Sequence, residues 1–588
     1  MAALGELAGR PWLGAMPDAQ ERTRFRIWAP DAQEVLLELA QGGAHRMHRH
    51  DDGSFDLILP VAPGARYRYR IDGRDPVPDP ASRWQPDGVH GDSVVVDPHA
   101  YAWQHTAWHG RPWREAVIYE LHVGLCGGYP GTIAQLPRLV ELGITAIELM
   151  PLGEFPGRRN WGYDGVLPYA PESAYGTPEQ LKALIDAAHG HGLMVLLDVV
   201  YNHFGPEGNY LHQYAESFFN ADAPTPWGPA IDFRQPLVQR YFIDNALMWL
   251  HEYRFDGLRL DAVHAIVPND FLETLRTAIV DSLPDERHVH LVLENEANQA
   301  SRLADGYTGQ WDDDFHNALH VLLTGEDEGY YAGFADDPTA HLARVLAEGF
   351  AYQGQADHRG HRRGEPSAHL PPTRFVVFAQ NHDQIGNRAK GDRLAALVSP
   401  EALRAALALT ALTPMIPLFF MGEPWGARQP FLFFTDYAPP LDEAVREGRR
   451  REFAHFAAFA DEATRASIPD PNQPGTFEAS KVDIADSTHG EGAVFAQWFA
   501  ALLAVRQAHL APHLDQARAL GAQVLAPGAI AARWSLGPRV LHVEFNFGRA
   551  AVRAPAASGV LLHAENAQAD QETLASNALR VWLRDAAA

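Results

Sequence analysis

Apolar and polar positions change their rhythm twice along the 588-residue chain. Between about residues 20 and 97, the runs RFRIWAP, EVLLELA, SFDLILP and ARYRYRID alternate in twos and are separated by Asp, Gly and Pro. Side chains of a strand point to opposite faces in turn, so this rhythm predicts short half-buried strands and an N-terminal β-sandwich over 1–97. From Val117 the runs lose their alternation: VIYELHV (117–123), TAIELMP (145–151), LMVLLDVV (193–200), DGLRLDA (256–262), HLVLENE (290–296), FVVFAQNHD (375–383) and MIPLFFMGE (415–423). Near-continuous apolar runs of this length belong to parallel strands covered on both faces. Helices fit between them: TPEQLKALIDAAHGHG carries a Thr cap with Gln three residues on, and PLVQRYFIDNALMWLHEY opens on Pro and keeps helical spacing. A weak further strand between 300 and 320 completes eight strand-helix units. The expected fold is therefore α/β, a (β/α)8 TIM barrel over 98–505 with a short insertion after strand three. An open doubly wound sheet is the alternative, but no Gly-rich phosphate loop follows the first strand. After about residue 505, QVLAPGAIAARWSL, RVLHVEFNFG, GVLLHAEN and LRVWLRD return to short strands and predict a C-terminal β-sandwich over 506–588.

Composition narrows the partners. Lys and Arg total 48 against 74 Asp and Glu, a formal charge of −26, which argues against nucleic acid or an anionic membrane surface and favours a neutral or cationic ligand. The single cysteine, Cys126, excludes an intrachain disulfide and a cysteine-rich zinc site and fits a reducing compartment. The opening MAALGELAGRPWLGAM lacks a basic n-region, and no later segment reaches transmembrane length, so the expected location is cytoplasmic.

Candidate chemistry lies where the barrel runs end, because a barrel of this kind presents its site at the C-terminal ends of its strands. The third run ends in Asp198 and His203, and the fourth in Arg259, Asp261 and His264. The fifth ends in Glu294 and Glu296, and the seventh in Asn381, His382 and Asp383. Arg259 and Asp261 share one face of their strand and Leu258 and Leu260 the other; alone, this reads equally as a structural ion pair. Acidic groups at four strand ends shift the balance to a catalytic site. A hard cation held by His203, Asp261, Glu294 and Asp383 is the competing reading, but a metal site has no use for Arg259 beside Asp261. Carboxylates on neighbouring strands lie roughly 5 Å apart, the separation of a retaining glycosidase pair, and Asp261 and Glu294 meet that condition. Arg259 would hold Asp261 ionised as the nucleophile, and Glu294 on its apolar run would keep a proton for the leaving oxygen. Asp383 supplies a third carboxylate for the oxocarbenium-like transition state, and His203 and His382 can bond sugar hydroxyls. Trp161 and Tyr163, in NWGYDG after strand two, are stacking candidates, with burial the alternative for Trp161.

The segments DVVYNH (198–203), GLRLDAVH (257–264), VLENE (292–296) and AQNHDQ (379–384), in this order, resemble the signature regions of the α-amylase family, glycoside hydrolase family 13. The resemblance implies that Asp261 is the nucleophile, Glu294 the general acid/base and Asp383 the transition-state stabiliser. It places Arg259, His203, His382 and Tyr163 around the cleaved sugar, makes Asp198 largely architectural, and marks the N-terminal sandwich as glycan-binding-module-like. Further segments, VPDPASRWQPDGVHGDSVVVDP, YELHVG, QWDDDFHNALH, QNHDQIGNR, PFLFFTDY and REGRRREF, resemble those members of the family that hydrolyse maltooligosyltrehalose. This implies cleavage of the α-1,4 bond between a maltooligosyl chain and terminal trehalose, and a partner, a maltooligosyltrehalose synthase, that makes the α,α-1,1 end. Asp313, Asp314 and His316 in WDDDFHNALH are expected to bond the trehalose unit, though Asp residues at a helix start serve as caps nearly as often. His264, Gln384, Asn387 and Arg388 complete the expected substrate-binding set. Three departures stand out. GLCGGYPGTIAQ (124–135) predicts a rebuilt loop after strand one, Pro424 replaces an expected Glu, and Asn202, at the position of a calcium ligand in many amylases, has no obvious partners. No metal and no cofactor are expected. A glycogen branching or debranching enzyme shares the sandwich and barrel but fits NHDQIGNR and WDDDFHNALH poorly. A non-catalytic glucan-binding protein has no need of all three carboxylates.

Overall fold

The computed structural model describes residues 12–225, 228–268, 270–459, 461–554, 558–568 and 572–585. Eight parallel strands close into a barrel: β1 (Ile118–Leu121), β2 (Ala146–Leu149), β3 (Met194–Val199), β4 (Gly257–Leu260), β5 (His290–Leu293), β6 (Gly309–Trp311), β7 (Phe375–Val377) and β8 (Ile416–Phe420). Helices between them include α1 (Gly128–Glu141), α2 (Pro178–Gly190), α3 (Pro236–Leu247), α4 (Phe271–Ser282) and α5 (Asp313–Thr324). The start of α2 follows its sequence signal: Gln180 N–H donates to the Thr177 hydroxyl, and Thr177 N–H donates back to the Gln180 side chain. Pro236 opens α3, where its missing N–H costs nothing.

The period of two sorts each strand into an outer and an inner row. Leu258 and Leu260 point outward and join the core between barrel and helices, each burial contributing about 1.5–3 kcal/mol. Ile118, Ala146, Met194, Leu196, Val292, Trp311, Val376, Ile416 and Leu418 form a separate apolar plug. One inward step further along the strands the plug gives way to Glu120, Glu148, Asp198 and Arg259. Glu148 lies beside Glu120 across β1 and β2, and Asp198 beside Arg259 across β3 and β4. The site rests on this polar layer.

Strands are shorter than the apolar runs that announced them. The last residues of each run leave the ladder at the barrel mouth, so Asp261, Glu294 and Asp383 all lie just past strand ends. The end of the seventh run folds instead as a short helix, α6 (His382–Gly386), capped by Asn381, whose side chain accepts from the N–H groups of Asp383 and Gln384. Residues 128–135, expected as loop, begin α1. Gly128 is required there: its φ is +76°, and a Cβ would meet the Tyr175 carbonyl at 2.5 Å.

The N-terminal unit has two four-stranded sheets, one of Gly14–Pro17, Thr23–Trp28, Ser54–Leu59 and His48–Arg49, the other of Ala44–Arg46, Val35–Leu39, Arg66–Ile71 and Ser93–Val94. After β3, Phe219–Thr225 and Gly228–Ile231 form a small hairpin. The C-terminal unit has a five-stranded antiparallel sheet (Ala517–Ala526, Ala529–Leu536, Arg539–Asn546, Ala578–Asp585, Val560–Glu565) and a two-stranded one (Val552–Arg553, Thr573–Leu574). The expected boundary at 505/506 falls inside α7 (Gly490–His509). That helix stays with the barrel because the buried Arg506 donates to the carbonyls of Ala411, Thr413 and Met415.

Candidate active site

Arg259 organises the strand ends. It is 3% exposed, and its Nη1 donates to Asp198 Oδ2 and Asp261 Oδ1, both at 2.7 Å. Its Nη2 lies 3.9 Å from Glu294 Oε2, and the guanidinium carbon sits 4.1 Å from the centre of the Trp311 ring. A buried guanidinium is costly unless paired, and here two carboxylates and an aromatic face meet it. Asp198 is pushed up to about 6 by burial, against the opposing pull of Arg259.

Asp261 is oriented from a second side. Asn202 Nδ2 donates to its Oδ2 at 2.8 Å and to its carbonyl at 3.0 Å. The next residue, Ala262, adopts left-handed φ and ψ of 41° and 49°, a conformation costing a non-glycine residue roughly 1–2 kcal/mol. The turn aims the Ala262 N–H at Glu294 Oε2, 2.6 Å away, while Val263 N–H donates to the Glu294 carbonyl. Local strain therefore ties the end of β4 to the end of β5.

Burial raises the Glu294 carboxyl well above the ordinary carboxylate range; Arg259 opposes the rise, and the charges of Asp261, Asp313 and Asp383 add to it. Asp313 is pushed up to about 7, by burial first and then by Asp383. Burial raises Asp383 as well, with His382 and Arg259 pulling it down. A raised carboxyl beside a carboxylate paired to arginine is the division of labour that acid-assisted nucleophilic displacement needs.

Glu294, Asp313 and Asp383 face a cavity of about 540 Å³, whose other walls include Glu296, Gln384, Asn387, Arg388, Tyr330 and Phe456. Asp261 does not line it; its carboxylate, 13% exposed, is turned to Arg259 and Asn202. Tyr163 O–H donates to Asp198 Oδ2 at 2.6 Å, and its ring stacks on His382. His203 is buried, with Nε2 2.9 Å from the Tyr163 carbonyl and Nδ1 against Asn202 Oδ1. Asn387 Nδ2 donates to Asp383 Oδ1 at 2.6 Å, and Gln384 Nε2 lies 3.3 Å from Asp313 Oδ1.

Four expected sugar contacts are engaged elsewhere. Trp161 is buried, stacked on Phe431 at 5.2 Å, and its indole N–H donates to the Leu432 carbonyl, so it offers the cleft no open face. Asp314 accepts from Arg363, Asn298, Ala351 and Tyr352, which occupy its carboxylate with loop-holding bonds. His316 is held between the Ala379 carbonyl and the Tyr331 hydroxyl. Arg388 forms a two-pronged pair with Glu326 at 2.6 and 2.8 Å on the cavity wall. His264 is exposed at the rim, where its Nδ1 accepts from Glu296 N–H at 3.3 Å.

The residues around Asn202 do not fit a structural calcium. Its amide is bonded to Asp261 and its oxygen to His203, and among the described residues no group of three or more His, Cys, Asp or Glu side chains is placed to hold a metal ion. Two members of the site escaped the sequence reading: Asn202 as the orienter of Asp261, and Glu120, which contacts His382. Glu120 carried the same signal as the others, an acidic residue inside an apolar strand run.

Comparison with known proteins places these parts. Family models match residues 12–100 as carbohydrate-binding module 48 (isoamylase N-terminal domain), 110–227 as alpha amylase, catalytic domain, and 517–581 as a domain of unknown function. Malto-oligosyltrehalose trehalohydrolase of Deinococcus radiodurans is 44% identical over 513 residues, covering 85% of this chain and 83% of that relative. The Arthrobacter ramosus protein of the same description is 42% identical, with 82% and 87% covered. A crystal structure of a candidate alpha amylase from Salmonella typhimurium superposes with a TM-score of 0.93 at 44% identity, over 98% of this chain and 100% of that one. Among the described residues, no helix is long and apolar enough to cross a membrane.

Proposed function

The chain belongs to the malto-oligosyltrehalose trehalohydrolase family, glycoside hydrolases built on the α-amylase barrel, and from that premise we propose that it hydrolyses maltooligosyltrehalose at the α-1,4 bond before the terminal trehalose. The observation that carries the reading is the joint arrangement of Asp261, Glu294 and Asp383 around Arg259 within a family of that description.

Asp261, paired with Arg259 and aimed by Asn202, attacks the anomeric carbon while Glu294 gives its proton to the leaving trehalose oxygen. The C–O bond to trehalose breaks as the Asp261–glycosyl bond forms. Water then displaces Asp261, passing a proton to Glu294, which restores both groups and retains the anomeric configuration. Asp383 faces the positive charge that develops on the sugar ring. Tyr163, His382 and His203 shape the pocket for the attacked sugar, while Asp313, Gln384 and Asn387 lie on the leaving side as candidate hydroxyl partners. A neutral glycan suits a net charge of −26. A synthase that makes the α,α-1,1 end is the functional partner, and the cytoplasm, consistent with the single Cys126, is the proposed location.

The test is digestion of trehalose-capped maltopentaose. Free trehalose and maltopentaose, the latter released first as the α-anomer by NMR, are expected. Absence of trehalose, or formation of a branched glucan, would overturn the reading.

A further inference from the structure

We propose that Glu120 is a positioning residue that holds His382 as an imidazolium, and thereby fixes the direction of the hydrogen bonds running from β1 to Asp198. Four groups form one buried line. Glu120 Oε1 lies 2.5 Å from His382 Nδ1, and its Oε2 accepts from the His382 backbone N–H at 3.1 Å. His382 Nε2 lies 2.8 Å from the Tyr163 hydroxyl, which is 2.6 Å from Asp198 Oδ2. Glu120 and His382 are 1% and 3% exposed, so bulk water does not exchange partners with them.

Counting protons along this line decides its state. The three contacts need three hydrogens: one between Glu120 and Nδ1, one between Nε2 and the phenol, one between the phenol and Asp198. With both carboxylates as acceptors, the phenol has one hydrogen to give. A neutral imidazole supplies one more and leaves a contact with two lone pairs facing each other, whereas an imidazolium supplies two and completes the set. The Tyr163 hydrogen then points to Asp198, whose same oxygen accepts from Arg259, and Arg259 in turn holds Asp261. Without the imidazolium, Tyr163 is drawn to donate to Nε2, and Asp198 loses a partner.

The surroundings are mixed in sign. Asp383 follows His382 on α6, Arg259 approaches from β4, His122 from the end of β1, Glu148 stands beside Glu120 on β2, and Glu423 faces Glu120 from beyond β8; the Tyr163, Trp161 and Trp311 rings pack around the imidazole. Burial and Arg259 work against the charged ring, and Glu120 and Asp383 raise its proton affinity above the ordinary histidine value. Other buried histidines without a carboxylate partner, His122 and His290, are instead pushed down to about 4. The imidazolium in turn pulls down the raised Asp383. The catalytic consequence, which rests on the role assigned to Asp383 above, is that Glu120 sets how far into acid Asp383 remains ionised.

The experiment has a substrate-free arm and a kinetic arm. In the intact protein labelled with 15N-histidine, both His382 nitrogens, assigned by their loss in His382→Gln, are expected at imidazolium shifts from pH 6 to pH 8. Glu120→Gln is expected to return them to a neutral-ring pattern and to move the acid limb of kcat/KM up by about one pH unit, the low end of what one nearby charge does to a carboxylate. A neutral His382 in the parent at pH 7 overturns the proposal whether or not Glu120→Gln folds. So does a folded Glu120→Gln protein with unchanged nitrogen shifts or an unmoved acid limb. If trehalose release fails in the parent while the nitrogens read as imidazolium, the functional reading falls and the placement of the proton stands.

Discussion

Among the described residues, two cross-strand arginine–carboxylate pairs are buried, and they do opposite things. Arg259 stands across from Asp198 on the parallel β3–β4 ladder, and Arg580 stands across from Glu544 in the antiparallel C-terminal sheet. Both guanidinium groups are almost wholly out of solvent, 3% and 0% exposed. Arg580 meets Glu544 at 2.6 Å and gives its other N–H groups to the carbonyls of Gln568 and Ala554. One carboxylate faces the guanidinium, His542 stands 3.6 Å from its other oxygen, and the surroundings are closed. Arg259 instead serves Asp198 and Asp261, with Glu294 at 3.9 Å and Asp313 and Asp383 beyond, so negative charge exceeds positive and the excess opens on a cavity. Pairing across strands does not distinguish a site from a staple. Unequal charge does, because a carboxyl that one cation cannot fully stabilise keeps its proton near neutral pH, and that proton is what the chemistry uses.

The comparison breaks most sharply if the two pairs are cut. Asp261→Asn is expected to lower kcat by about 10⁴-fold or more, the scale seen when a nucleophile is removed from a cooperative set, with Tm nearly unchanged. Retained turnover would remove Asp261 from the chemistry. Glu544→Ala is expected to do the reverse, costing about 3–5 kcal/mol of stability by leaving the Arg580 charge buried without its carboxylate, while kcat of the folded protein at 25 °C stays as it was. Replacing both partners, Arg580→Met with Glu544→Leu, is expected to recover most of that loss in denaturant unfolding. A loss of kcat in Glu544→Ala, or no recovery in the double variant, would mean that the C-terminal pair is more than a staple.

Much of this was written in the local pattern. Arg259, Asp261 and Glu294 are legible because a charged residue in an apolar strand run has a fixed face and a fixed end of the barrel to point to. The same logic reaches Glu120. It does not reach Asp314 or His316, most of whose partners, Arg363, Ala351, Tyr352 and Ala379, come from segments about 35 to 65 residues away, so that only the folded chain shows their bonds to be already taken. Trp161 fails for a related reason. An aromatic residue on a cleft loop can turn to the cleft or to the core, and Phe431, 270 residues later, makes the core face the better one. The C-terminal boundary is set where the strand–helix alternation stops, at about residue 505, and falls inside α7; the anchor that holds this helix to the barrel, Arg506, is a charged residue that sequence pattern assigns to solvent.

Asp313 offers the finest probe of the charge imbalance. Its carboxylate, pushed up to about 7, is one of three charges that add to the burial raising Glu294. Glu294 acts as an acid, so activity is lost as pH rises through its pKa, and the alkaline limb of kcat/KM reports that loss in the free enzyme. Asp313→Asn removes one negative neighbour, lowers the proton affinity of Glu294, and is expected to move the alkaline limb down by about half to one pH unit. An asparagine keeps an oxygen for the Gln384 amide, 3.3 Å away in the parent, so the local geometry is preserved. A limb that stays in place with KM raised would leave Asp313 a sugar contact only; a limb that moves with KM unchanged would make its charge, rather than its hydrogen bonds, the part the reaction depends on.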